Sequence, residues 1–181
     1  MARAAERTAP TMDAQSAANT LNALSKLDAA VSAMSPAGWD AVARAAERTA
    51  PTMNAQNAAN TLNALSKLGS AVSAMSPAGW DAVAKAAERT APTMNPQGAA
   101  NTLNALSRLG AAASAMSPAG WDAVARAAEQ TAPAMNAQEA AKTLSGFAVL
   151  NTAASKLPLS TRERLAAAAE RLRATSRRNA R

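Results

Sequence analysis

The chain has 181 residues, a formal net charge of +7, no Cys and no His. The absence of Cys excludes disulfides, thiolate metal sites and a Cys nucleophile, and the absence of His removes the usual general base and the commonest zinc ligand. Nearly half the residues are apolar, yet with one Phe, three Trp and no Tyr the core must be thin, with helices packed closely across small Ala side chains.

The sequence copies itself every 41 residues: the segment Ala2 to Pro10 returns at Ala43, Ala84 and Ala125, and a worn fifth copy from Ala166 keeps Ala169-Glu170-Arg171 in register. Self-similarity at 20 to 50 residues means stacked supersecondary units, none able to bury its apolar face alone. Such arrays expose one long surface on which equivalent residues recur, which suits binding better than catalysis. Charge is uneven. From Lys156 to Arg181 the net charge is +6, carried by Lys156, Arg162, Arg164, Arg171, Arg173, Arg177, Arg178 and Arg181 against Glu163 and Glu170, which leaves +1 for residues 1–155. A basic end suggests an anionic partner, or the solvated face of a capping helix. We expect an array over 1–155 and a basic capping helix and tail over 156–181.

No stretch approaches the roughly 18 consecutive apolar residues of a membrane span. The Arg- and Ala-rich start could pass for a transit peptide, but its near-copies inside the chain mark it as structure. The chain opens midway through a repeat, without the Ser-Pro-Ala-Gly-Trp half, as a fragment or a gene with an eroded first unit would.

In the second copy, one helix should start after Ser35. Ser is a good N-cap, Pro36 suits the first helical position, and Met34 can pack on Trp39 as a hydrophobic staple. Trp39, Val42, Ala43, Ala46 and Ala50 then recur at helical spacing, until Pro51 ends the run. A second helix should be capped by Asn54, since Ala55 becomes Pro96 in the third copy and proline is tolerated only in a first turn. Ala58, Leu62, Leu65 and Leu68 form its apolar stripe, and Gly69 is placed for a C-terminal cap. Residues 69–76 then connect to the next Ser-Pro, with room for a short helical turn. No period-2 alternation of β-branched residues appears. The fold expected is all-α, a right-handed solenoid of stacked helical hairpins with about nine helices, the three Trp buried between repeats.

The other face of the second helix carries Gln56, Asn60, Asn63 and Lys67, which at i, i+4, i+7 and i+11 share a sector of about 60°. Gln15, Asn19, Asn22 and Lys26 match it in the first copy, and Gln97, Asn101, Asn104 and Arg108 in the third. The fourth row decays to Gln138, Lys142, Ser145 and Val149. Stacking should expose parallel amide rows edged by a cation. Amides donate and accept, so they can read base edges or clamp a peptide backbone, while Lys and Arg neutralise phosphate. The bland reading of the first Asn in each row is hydrogen bonding between repeats. One position varies inside the copied unit: Ser16, Asn57, Gly98, Glu139. It falls at the third helical residue, near backbone N–H groups that attract anions, where a one-repeat, one-letter code could be written. Drift at a cap position explains it equally, and Glu139 can complete a capping box with Asn136.

The run Asn54-Ala-Gln-Asn-Ala-Ala-Asn-Thr-Leu-Asn-Ala-Leu-Ser-Lys-Leu-Gly69, followed by Ser76-Pro-Ala-Gly-Trp80, resembles the octotricopeptide-repeat family of helical hairpins. Leu62-Asn-Ala-Leu-Ser-Lys67 also looks like the Ser-Lys-Trp-Pro repeats of type III effectors from plant-pathogenic bacteria. The resemblance covers residues 2 to about 155 and implies an α-solenoid that binds single-stranded RNA. The chain departs from it at Asn22, Asn63 and Asn104, where the family usually has Trp, and at Leu68, where the effector motif has Trp-Pro. Most acids sit at equivalent repeat positions facing a cation on the same helix, as Asp40 faces Arg44. No carboxylate pair, phosphate-cradling Gly loop or Ser/His/Asp set is visible. The expectation is a non-enzymatic array without metal or cofactor that binds single-stranded RNA. A peptide-binding scaffold and an effector delivered to a host cell, where it meets a host protein, are the alternatives.

Overall fold

The computed structural model describes residues 2–27, 31–152 and 159–179; within these, the side chains of residues 70, 151, 152, 165 and 175–179 are not described. Among the described residues the chain is helical, with no strands: α1 (Ala2–Thr8), α2 (Ala14–Leu24), α3 (Pro36–Thr49), α4 (Ala55–Leu65), α5 (Gly69–Ala74), α6 (Pro77–Thr90), α7 (Pro96–Leu106), α8 (Gly110–Ala115), α9 (Pro118–Thr131), α10 (Ala137–Thr152) and α11 (Leu159–Asn179). Tight 3-10 turns at Ala9–Thr11, Ala50–Thr52, Ala91–Thr93 and Ala132–Ala134 join each first helix to its second.

The starts follow from the caps. Ser35, Ser76 and Ser117 accept from the N–H of Gly38, Gly79 and Gly120, with Pro at the next position in each case. Asp13, Asn54, Asn95 and Asn136 cap the second helices in the same way. The Pro of each Ala-Pro turn does not stop the chain in an extended conformation, because it sits in the first turn of the 3-10 segment, where its missing N–H is not needed. Gly69 corrects a sequence expectation. No glycine has positive φ; α4 ends instead through Ser66 in the right-handed helical region, and Gly69 is the first residue of the short helix α5.

Packing forms two layers. First helices α1, α3, α6, α9 and α11 follow one another in one layer, and second helices α2, α4, α7 and α10 in the other. Ala and Leu fill the seam: Leu21, Leu62 and Leu103 are fully buried, as are Val42, Val83 and Val124. Trp39, Trp80 and Trp121 are buried at 5%, 6% and 5% exposure, as expected of core residues and not of a stacking platform. Small residues set the close spacing of the second helices. Ala64 and Ala105 are buried there, and at the equivalent Gly146 an added Cβ would lie 3.0 Å from the Leu103 backbone.

Successive first helices are tied by a relay that the sequence reading missed. Glu6 accepts from the N–H and hydroxyl of Ser35, at 3.1 and 2.8 Å; Glu47 accepts from the Ser76 hydroxyl at 2.9 Å, and Glu88 from the Ser117 N–H. Each carboxylate thus caps the next helix and meets the positive end of its dipole. It also explains the Gly in Ser-Pro-Ala-Gly: a Cβ at Gly38 or Gly120 would collide with the Glu6 or Glu88 side chain. In the other direction Arg48 donates to the carbonyls of Met12 and Ala9 at 3.0 and 2.9 Å. Arg89 repeats this on Met53 and Ala50, at 2.9 and 3.2 Å.

Candidate functional site

The polar face of the second helices is the surface on which the sequence rows converge. Lys26, Lys67 and Arg108 follow directly after Ser25, Ser66 and Ser107, the C-caps of α2, α4 and α7. Their side chains are exposed, at the negative end of each helix dipole, where a cation is stabilised. Lys142 joins them from α10. Partial burial, and then the charges of Lys142, Lys26 and Arg108, hold the Lys67 ammonium below the usual lysine range. The cations of the other three hairpins therefore act on Lys67, and none of these four takes part in an ion pair among the described residues. An anion bound along this row would relieve that repulsion.

The amides stand differently from the expectation of a fully exposed row. Gln15, Gln56, Gln97 and Gln138 are exposed, as are Asn19, Ser145 and Val149. Asn63 and Asn101 are buried, at 8% and 5% exposure, and Asn22, Asn60 and Asn104 are half-buried. The second helices approach across Ala and Gly, so a side chain at these two row positions lies in the crevice between neighbours. The structure corrects exposure at Asn63 and Asn101 for that reason. Asn101 accepts from Lys142 Nζ at 3.1 Å across a repeat boundary, the structural role weighed for the first Asn of a row. The side-chain amides of Asn22, Asn63 and Asn104 make no hydrogen bond among the described residues, although their backbone carbonyls accept from Ser25, Ser66 and Ser107.

The variable column is corrected in two respects. Asn57 and Gly98 are buried, whereas Ser16 is exposed and Glu139 half-buried. The N–H of all four residues is donated to the cap side chain, at 2.7 to 2.9 Å, so these groups do not stand ready for an anion. At Glu139 the capping box is closed, its carboxylate accepting from the Asn136 N–H at 2.9 Å.

The basic tail also divides. Arg162 and Arg173 are exposed on α11. Arg164 instead reaches Asp122 at 2.9 Å and Glu129 at 3.4 Å, and Arg171 reaches Glu129 at 3.2 Å. These two arginines dock α11 on α9. Lys156, Arg181 and the side chains of Arg177 and Arg178 lie outside the described residues. Net charge along the sequence could not separate docking from free arginines; the spacing of Arg164 and Arg171 from the acids of the preceding unit was the available signal. No group of acids, among the described residues, could hold a metal ion, and no helix of the described residues is long and apolar enough to cross a membrane.

A family model described as a protein of unknown function (DUF1601) matches residues 3–21, 40–62, 81–103 and 122–144. Each later match runs from the second turn of a first helix, through the 3-10 turn, into the second helix. No curated protein and no solved structure matches the chain. Four matches at equivalent places in successive hairpins indicate a repeat family of unknown function, which this chain resembles unit by unit.

Proposed function

We propose that the chain is a right-handed α-solenoid with a 41-residue period that binds single-stranded RNA along its second helices, without catalysis. The observation that carries this reading is the row Lys26, Lys67, Arg108 and Lys142 along the second helices, without carboxylate partners among the described residues. The second helices pack on one another more extensively than the first helices do, which supports an inner, concave position for this row. Phosphates follow the cations, while the exposed Gln15, Gln56 and Gln97 and the half-buried, unpaired amides of Asn22 and Asn104 face the bases. The resemblance of Asn54 to Gly69 to octotricopeptide repeats supports the same ligand.

A peptide or host-protein ligand is the second reading, favoured by the net charge of only +1 over residues 1–155. Salt separates the two. Four cations neutralising four phosphates give a slope of log K on log salt of roughly −3 for a single strand, whereas a peptide held by amides gives one near zero. Titrating a random single-stranded RNA pool at two salt concentrations reads this directly; absence of binding at the lower salt would eliminate the RNA reading.

A further inference from the structure

Two clefts of about 740 Å³ recur one unit apart on the layer of first helices. Asp40, Arg44 and Glu47 of α3 line the first. Asp81, Lys85 and Glu88 of α6 line the second, and the small residues Ala119, Gly120 and Ala123 of α9 form its other wall. The acids of both clefts keep unused acceptors. Asp40 accepts no side-chain hydrogen bond among the described residues. Asp81 accepts from Lys85 at Oδ2, over 2.7 Å, and its Oδ1 accepts nothing among the described residues. Glu47 and Glu88 each cap the next helix through one oxygen, Oε2 and Oε1 respectively, and keep the other.

The equivalent place between α9 and α11 shows what these acceptors take. Helix α11 carries Arg164 where α9 has Ala123 and α6 has Ala82. Its Nε donates to Asp122 Oδ1 at 2.9 Å and its Nη1 to Glu129 Oε2 at 3.4 Å. Asp122 Oδ2 meanwhile accepts from Arg126 at 2.9 Å, just as Asp81 Oδ2 accepts from Lys85. The oxygen that holds the guanidinium beside α11 is thus the one left unpaired in the cleft of α6. The setting is sheltered: the Asp122 and Glu129 side chains are 26% and 20% exposed, which spares the contact part of the screening that weakens open surface pairs.

We propose that the two open clefts are arginine sockets for a partner protein, Asp40 and Glu47 taking one guanidinium and Asp81 and Glu88 another. The chemistry of the occupant is read from Arg164, which the equivalent acids bind within this same fold. Arginine suits the socket better than lysine, because its planar fork reaches two carboxylates at once. Neighbouring first helices stand roughly 8–10 Å apart, so the partner presents two arginines at that distance on one face. A polyproline II strand does so at every third residue, about 9 Å along its axis, in a conformation that is already formed before binding. The sockets lie on the first helices, so they do not depend on the cation row of the second helices or on its ligand.

The test uses the full chain and a fluorescein-labelled Arg-Pro-Pro-Arg-Pro-Pro peptide, read by fluorescence anisotropy, with far-UV circular dichroism to follow helicity. The chain carries a net charge of +7, so a cationic peptide gains nothing from unspecific attraction. The parent chain should bind it saturably, and the same peptide with Lys for Arg about tenfold more weakly or worse. Asp40→Asn with Asp81→Asn should raise Kd by about tenfold or more. Ala82→Arg with Ala123→Arg, which copies Arg164 into both sockets, should abolish binding in a chain that stays helical. No binding to the parent, equal affinity for the Lys peptide, or a Kd unchanged in D40N/D81N overturns the proposal. If A82R/A123R costs helicity, D40N/D81N is read alone by the same criterion. N-acetylarginine amide that competes as well as the peptide, arginine for arginine, overturns the partner protein in favour of a small guanidinium ligand.

Discussion

Truncation of Trp80 to Ala gives the most quantitative check on the packing. Trp80 lies on α6 in the middle of the array at 6% exposure, with its equivalents Trp39 and Trp121 buried to the same degree. An indole buries about 150–250 Å², which at about 25 cal/mol per Å² amounts to ~4–6 kcal/mol. Residual burial in the unfolded chain lowers this by roughly 10–40%. The figure left, ~3–5 kcal/mol, is the range measured for large-to-Ala changes at core aromatics. Because each hairpin leans only on its neighbours, the loss should fall on the centre and broaden the transition, splitting it if the two halves uncouple. Urea unfolding followed at 222 nm reads the shift, and acrylamide quenching of the parent chain reads the burial. A loss below about 1 kcal/mol, or ready quenching of the parent fluorescence, would refute a core role for the indoles.

Gly120→Ala should destabilise modestly, by no more than about 2 kcal/mol. It displaces the Glu88 carboxylate from Ser117 at a cost of about 1–2 kcal/mol, against a helix-propensity gain of up to about 1 kcal/mol. In a Glu88→Ala background the same change should be stabilising, and a urea double-mutant cycle that shows no coupling would remove the relay from the account. Arg89→Gln, which copies Gln130 of the fourth unit, should cost about 1 kcal/mol through its two carbonyl hydrogen bonds and lower the thermal midpoint. Acid should destabilise the array. Hydrogen bonds from the Ser35 hydroxyl and N–H lower the Glu6 pKa; at Asp122 burial works the other way, but Arg126 and Arg164 outweigh it. Carboxyls depressed in the folded state contribute stability above their unfolded values of about 3.9–4.3, and that contribution is lost as pH falls through the folded values. The urea midpoint should therefore hold from neutral pH to about 5 and fall below about 4, and a midpoint that rises on acidification would contradict these assignments.

The parts of this fold legible in the sequence were those set by local chemistry. Ser35 before Pro36, and Asn54 tested against Pro96, placed both helix starts, and the spacing of Leu62 and Leu65 identified the buried stripe. Gly69 misled because a Gly after the last apolar residue serves equally well as a left-handed cap or as the first residue of a new helix; the right-handed turn at Ser66 and Lys67 decided for the second. The depth of Asn63 and Asn101 depends on how closely α4, α7 and α10 approach, a distance set by Ala64, Ala105 and Gly146 on their seam. That is a tertiary quantity with no local signature. The roles of Glu47 and Arg48 were concealed for a different reason: on their own helix they look like solvated charges, and their partners, Ser76 and the carbonyls of Ala9 and Met12, belong to the next and the preceding unit.

The claim that the second helices form the ligand surface is tested most directly by comparing two variants on one single-stranded RNA pool at two salt concentrations. One carries Lys26→Ala, Lys67→Ala and Arg108→Ala; the other lacks residues 162–181. Removing three phosphate contacts should weaken binding of all sequences alike and flatten the salt slope by about 2. The truncated chain should lose affinity but keep its preference among sequences. Binding abolished by the truncation and unchanged in the triple Ala variant would contradict the account and leave the array a peptide or protein scaffold.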